Sequence, residues 1–158
     1  ININKVITDY IKPLISSFDS VTFQIDNVID KALIMADEKQ IRQACSNLIK
    51  NSYENITLNK ILGGKILICF EIVNDFASIT ISDNGTGIDK SIISKITEPY
   101  YTTKVGNSGL GLAITKKIID DHNGTILIKP LKENKGTSIV FKFPLISKLD
   151  NEKINVKK

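Results

Sequence analysis

The chain has no tryptophan, one methionine, one histidine and two cysteines in 158 residues, and aromatics make up 6% of it. Each scarcity closes off a class of protein. Cys45 lies in a helical pattern and Cys69 in a strand pattern, which gives neither a disulfide framework nor a metal-ligand spacing, so reduced core thiols of a cytosolic protein are expected. No apolar run approaches the roughly 20 residues of a membrane span, and no signal peptide is visible, which points to a soluble chain without direct membrane contact. The net charge of +4 comes from scattered lysines with no aromatics interleaved, a solvated surface rather than a nucleic-acid stripe. What is present, 42% hydrophobic and 24% charged residues, suffices for one domain with its own core and leaves little for a second.

Hydrophobic spacing alternates between helical and strand periods. Ile3, Val6, Ile7, Tyr10, Ile11, Leu14 and Phe18 recur at helical spacing over residues 3 to 18, with Pro13 a kink or break. Val21 to Ile25 and Lys31 to Met35 read as short strands around an Asp26-Asn27 turn. The strongest helix follows, capped by Asp37 with Gln40 three residues on, its buried stripe being Ile41, Ala44, Cys45, Leu48, Ile49 and Ile56. Lys65 to Val73 and Ala77 to Ser82 form a hairpin around Asn74-Asp75, and Lys90 to Ile96 is a short helix. A helix from Gly109 to about His122 stops at Asn123-Gly124, and strands follow at Thr125 to Lys129 and Thr137 to Phe143. Residues 1 to 147 form the domain, and 148 to 158 read as a tail or linker. Runs of strands rather than strict βαβ alternation predict an α+β fold, a mixed sheet with helices on one face.

The chemistry concentrates between Asp83 and Leu112. DNGTGID places a carboxylate, Asp83, where the alternating stretch Ala77 to Ser82 ends and the chain must turn, with Gly85 and Gly87 letting backbone approach a flat or charged group. Gly109-Leu110-Gly111-Leu112 opens a helix, so its amides would face an anion such as phosphate. On the long helix Asn47 and Asn51, four residues apart, stack on one side at the border of the apolar stripe. A carboxamide oxygen is a hard neutral ligand suited to Mg²⁺, although two solvated amides fit the spacing equally well.

Taken in order, these motifs resemble one family. DEKQIRQACSNLIKNS resembles the N box of sensor histidine kinase catalytic domains, DNGTGI their G1 box, PYYTTK their F box and NSGLGLAI their G2 box, while HNGTI and GTSIVFKFP resemble the closing strands. The wording EPYYTTK is most similar to the nitrogen-regulation class, the NtrB and NtrY types. The resemblance implies the α/β sandwich of the group that includes gyrase, heat-shock chaperone and mismatch-repair ATPases, the Bergerat fold, with ATP between a helical layer and a flexible lid.

It also implies roles. Asp83 would accept the adenine amino group and Thr137 would back the base, with Gly85, Gly87 and Ile88 lining the pocket. Asn51 would ligate Mg²⁺, and Asn47 would hold the phosphate side or a metal-bound water. The amides of Gly109, Leu110, Gly111 and Leu112 with Ser108 would cradle the phosphates, while Tyr101, Thr102, Thr103 and Lys104 would close from the lid, Lys104 neutralising charge in the transfer. In hydrolytic relatives the position of Asn47 is a glutamate that activates water, and an amide cannot be that base, which favours transfer to a protein. Ser52 replaces the usual alanine, Glu54 stands where many such kinases carry a lysine, and Asn107 replaces the first glycine of the second cluster. His122 lacks a phosphoacceptor's neighbourhood and reads as a helix-end residue favoured by the dipole. The acceptor histidine is therefore expected on a dimerisation hairpin outside this chain, in a cytoplasmic catalytic fragment of a parent with sensor and membrane segments upstream, the phosphoryl group passing to a response regulator. A serine kinase of the anti-sigma-factor type shares the fold but lacks a segment like PYYTTK. A nucleotide-dependent binding module is the other alternative, and intact Asp83, glycines and Lys104 speak against decay.

Overall fold

A period of two along Phe76 to Asp83 puts Ala77, Ile79, Ile81 and Asp83 on one face of a strand and Ser78, Thr80 and Ser82 on the other, and the whole sheet follows that split. The computed structural model describes residues 1–26, 32–101, 109–131 and 135–146. Its strands are β1 (Thr22–Asp26), β2 (Lys65–Val73), β3 (Phe76–Asp83), β4 (Thr125–Pro130) and β5 (Thr137–Pro144). They form one sheet in the order β1-β2-β3-β5-β4, with β1 parallel to β2 and the remaining pairs antiparallel. Register aligns buried rows across it. Ile68, Ile81, Ile139 and Ile128 face one another, and so do Phe70, Ile79 and Phe141. The next row toward the strand ends is Ile66, Asp83 and Thr137, so the same alternation that builds the core delivers a carboxylate and a hydroxyl to its rim. On the opposite face Leu127 is 44% exposed, and the Ser82 hydroxyl donates to Ser138 Oγ at 2.9 Å.

The helices cover the buried face. Helix α1 (Ile3–Val6) runs through a π-helical segment, Ile7–Ile11, into α2 (Lys12–Ile15). Pro13 has no N–H to give the carbonyl four residues back, and the Lys12 N–H reaches Ile7 O instead, so the proline is absorbed by a wider turn and not by a break. Helix α3 (Glu38–Leu58) starts as its sequence predicts, the Asp37 side chain accepting from Gln40 N at 3.0 Å. All six residues of the predicted stripe are buried, and so are Ser46 and Ser52. Helix α4 (Gly111–Asp121) ends in a Schellman motif: Asn123 takes φ 54°, its N–H reaches Asp120 O, and Gly124 N–H reaches Ile119 O.

His122 closes that end by hydrogen bonding. Its Nδ1 donates to Ile118 O at 2.6 Å and its Nε2 accepts the Asp37 N–H at 3.0 Å, which ties the C-terminus of α4 to the N-terminus of α3. His122 is the C-cap residue of α4, at the helix end where it was expected, and its ring bridges the two helices. The hairpin turn has positive φ at both Asn74 (48°) and Asp75 (62°), the backbone of a two-residue loop whose twist matches the strands.

Three expectations are corrected in extent. Helix α2 stops at Ile15, where the Ser16 and Ser17 hydroxyls take the carbonyls of Pro13 and Leu14. The expected strand at Lys31 to Met35 reduces, over its described residues, to isolated bridges, Leu33 with Asn2 and Ile34 with Leu145, because these residues are stitched between the N-terminus and the end of β5. Lys90 to Ile96 holds only a 3₁₀ turn, Lys90–Ile92, capped by Asp89, and goes on as hydrogen-bonded turns. The two faces of the sheet give a direct test. Phe141→Ala, on the buried face, should cost about 3–5 kcal/mol in urea denaturation, whereas Leu127→Ala should cost less than about 1 kcal/mol; equal losses would contradict this layering.

Candidate nucleotide site

Asp83 is 6% exposed at the end of β3, beside Thr137 at the start of β5. Its carboxylate is held from several directions. Oδ1 accepts the Gly85 N–H at 2.9 Å, and Oδ2 accepts the Ser52 hydroxyl of α3 at 2.9 Å. Burial pushes the carboxyl up from its ordinary value of 3.8, and hydrogen bonding, the Gly85 N–H first and the Ser52 hydroxyl next, pulls the other way. Gly85 is required here by contact: a Cβ on it would lie 2.4 Å from Asn55 Nδ2 and 2.9 Å from Asp83 Oδ1. Gly87 takes φ 78°, the left-handed turn expected of it.

Thr137 carries the site's open valence. It is 4% exposed, and its Oγ1 is buried without a hydrogen-bond partner. A buried hydroxyl left unpaired is costly, so this atom marks a place where a ligand or a water completes the structure. A base offering an amino donor and a ring acceptor fits an ionised carboxylate next to a free hydroxyl, and in that respect the residues present suit adenine.

One end of α4 supplies the second half. Asn47, half-buried as its border position predicts, donates from Nδ2 to Gly111 O at 3.2 Å and to Thr115 Oγ1 at 3.4 Å. Asn51 sits one turn on, and a Cβ at Gly111 would come 3.8 Å from its Nδ2, so both carboxamides of α3 border the first turn of α4. Gly109 seats against the other flank, where a Cβ would meet the Tyr100 carbonyl carbon at 2.6 Å and the Tyr101 carbonyl oxygen at 2.8 Å. Tyr101, Ile88 and Leu112 are half-buried and pack on the core. Helix α4 begins at Gly111 with Leu110 as its cap residue, two residues later than expected. Thr102, Thr103, Lys104 and Ser108, together with Asn107, lie outside the described residues.

Sequence reasoning noted Ser52 only as a replacement of the usual alanine, yet its hydroxyl holds Asp83. The signal was its place on the buried stripe, one turn after Leu48, where a hydroxyl must find a partner. A cavity of about 380 Å³ between α4 and β4, lined by Ile93, Lys116 and Leu127 among others, contains none of these residues, so the donor and acceptor set marks this site, and hollow volume does not.

Comparison with known proteins agrees with this geometry. Residues 36–147 match the family described as histidine kinase-, DNA gyrase B- and HSP90-like ATPases. Over 127 residues, 80% of this chain, it is 36% identical to an NtrY-like sensor histidine kinase of Rickettsia typhi, and over 129 residues, 82% of it, 36% identical to sporulation kinase B of Bacillus subtilis. The chain spans 21% and 29% of those relatives' lengths. The catalytic domain of histidine kinase ThkA, in a nucleotide-free form, superposes with a TM-score of 0.68 at 30% identity, over 90% of each chain. The mycobacterial sensor kinase MprB shares the fold with a TM-score of 0.79, covering 92% of this chain and 95% of that one at 21% identity. The chain belongs to the histidine kinase-, gyrase- and HSP90-like ATPase family, as an ATP-binding catalytic domain of the histidine kinase type.

The raised pKa of Asp83 has a definite sign. The folded state holds the proton more tightly than the unfolded chain, so the group's contribution to stability is full below 3.8 and is lost as pH rises through the higher folded value. Carboxyl ¹³C NMR titration should place Asp83 above 3.8, and Ser52→Ala, which removes one of the opposing hydrogen bonds, should raise it further. A titration at or below 3.8, or a fall in the variant, would contradict the assignment.

Proposed function

We propose that this chain binds ATP with Mg²⁺ and transfers the γ-phosphoryl group to a histidine on the dimerisation domain of a parent kinase, for relay to an aspartate of a response regulator. The observation that carries this reading is the pairing at the strand ends of a buried, ionisable Asp83 with the unpartnered Thr137 Oγ1, joined to α3 through the Ser52 hydroxyl. In the reaction the bond between the γ-phosphorus and its bridging oxygen breaks, ADP leaves, and a phosphorus–nitrogen bond forms on the acceptor imidazole. Little covalent work is asked of the protein, and catalysis is positioning and charge neutralisation.

Asp83 accepts the adenine amino group, with Thr137 beside it. The base lies over Gly85, Gly87 and Ile88. The first turn of α4 from Gly109 to Leu112, with Ser108, presents amides to the phosphates. Asn51 gives its carboxamide oxygen to Mg²⁺, a cation that prefers oxygen ligands and keeps several waters. Asn47 is turned by its bond to Gly111 O, which leaves its own oxygen for a metal-bound water. Tyr101, together with Thr102, Thr103 and Lys104 outside the described residues, would meet the triphosphate, Lys104 supplying the positive charge. An amide at position 47 cannot take a proton from water, so hydrolysis is slow and a protein acceptor is the productive outlet.

His122 is not that acceptor, since both ring nitrogens are engaged between α3 and α4. Among the described residues no helix is long and apolar enough to cross a membrane.

With ATP, Mg²⁺ and a separately produced histidine hairpin of the parent, the domain should yield acid-labile, base-stable phosphate on the hairpin. Phosphate on serine would instead favour the anti-sigma-factor type of kinase, and no transfer would overturn the proposal. Asp83→Asn should weaken ATP at least about tenfold in calorimetry with the fold intact. Asn51→Ala should lose far more affinity with Mg²⁺ than with EDTA, and an equal loss in both would remove the metal role.

A further inference from the structure

Base choice beside Asp83 turns on the direction of one hydrogen bond. A 6-aminopurine presents a donor at its 6-position, whereas a 6-oxopurine presents an acceptor there. An ionised carboxylate only accepts, so it takes the amino group and repels the oxo group, while a protonated carboxyl carries an O–H that can answer the oxo group instead. Selectivity for adenine therefore lasts only while Asp83 is ionised. Its position works against that state, because the group is buried at the end of β3 and burial favours the neutral form.

Two hydrogen bonds oppose the burial. The Gly85 N–H donates to Oδ1 at 2.9 Å and belongs to the backbone of the turn itself. The Ser52 hydroxyl donates to Oδ2 at 2.9 Å from the buried stripe of α3, and this bond depends on one side chain alone. A hydrogen bond to a charged acceptor is roughly twice as strong as one between neutral groups, so Ser52 favours the ionised form. No charge assists it. The ionisable side chains flanking these residues are Lys50, Tyr53 and Glu54 on α3, Lys65 on β2, Asp89 beyond the turn and Lys135 ahead of β5, and the balance on Asp83 is burial against hydrogen bonding without them.

We infer that Ser52 is a base-specificity residue: by holding Asp83 Oδ2 as an acceptor, it keeps the site selective for adenine over 6-oxopurines as the pH falls. The inference rests on the reading of Asp83 as the adenine acceptor. Ser52 is a positioning residue here, acting on the base through the carboxylate. Without its hydroxyl the ionised carboxylate loses a donor, the proton binds at higher pH, and selectivity fails sooner on acidification.

The experiment measures ATP and ITP binding by calorimetry, each with Mg²⁺, on the natural protein and Ser52→Ala between about pH 4.5 and about pH 8.5. Phosphate titration is common to both nucleotides, so the ratio of their affinities isolates the base. At the alkaline end both proteins should favour ATP by at least about tenfold. Toward acid the preference should fall, and in Ser52→Ala it should fall about one pH unit higher, so that at intermediate pH the variant discriminates up to about tenfold less. In each protein the fall should centre on the pH at which ¹³C NMR finds the Asp83 carboxyl titrating, and a fall centred elsewhere would overturn the inference. So would the same ratio in both proteins at every pH, including the case in which Ser52→Ala weakens both nucleotides alike, as a merely structural role predicts. Asp83→Asn separates the two levels. If it keeps the natural preference for ATP, the reading of Asp83 itself fails; if it loses that preference while Ser52→Ala tracks the natural protein, only the role of Ser52 fails.

Discussion

A single carboxylate on the core-facing side of a strand, taken out of water and answered by the Gly85 N–H and the Ser52 hydroxyl, is the constraint around which the rest of this domain is arranged. Burying an ionisable group without partners would be costly, and here the partners come from the turn after β3 and the middle of α3, with the start of β5 paired alongside. Satisfying Asp83 therefore ties the helical layer to the sheet at this rim. Its raised pKa expresses the cost of keeping the group inside, and the hydrogen bonds from Gly85 and Ser52 lessen it.

The helical layer is registered from its far end as well. His122 joins the last turn of α4 to the cap of α3, while Asn47 joins the first turn of α4 to the middle of α3. With α4 pinned at both ends against one helix, the amides of its first turn have a fixed relation to Asn51 and Asp83. On the proposed reading, that one pair of helices would set where phosphate, metal and base lie.

Much of this was legible because it follows from period. The alternation along β3 put Asp83 on the same side as Ile79 and Ile81, and the stripe of α3 named every apolar residue that proved buried. The Asp37 cap and the left-handed Asn123 followed from local chemistry in the same way. What the sequence hid were pairings between distant residues. Ser52 looked like a harmless replacement for alanine, yet its hydroxyl reaches Asp83, 31 residues away. At Pro13, where a kink or break was expected, the chain answered with a π turn and no break, a solution in which Ile7 and Ile11 stay fully buried.

The family relation and the fold define an ATP-binding domain, and the proposed adenine pocket centres on one carboxylate, Asp83. A crystal structure of the domain with a non-hydrolysable ATP analogue and Mg²⁺ examines this most directly. The account requires the exocyclic amino nitrogen of adenine within about 3.2 Å of an Asp83 carboxylate oxygen, Thr137 Oγ1 paired with the base directly or through one water, and the phosphates at the first turn of α4. A nucleotide seated elsewhere, or a base whose amino group points away from Asp83, would contradict it.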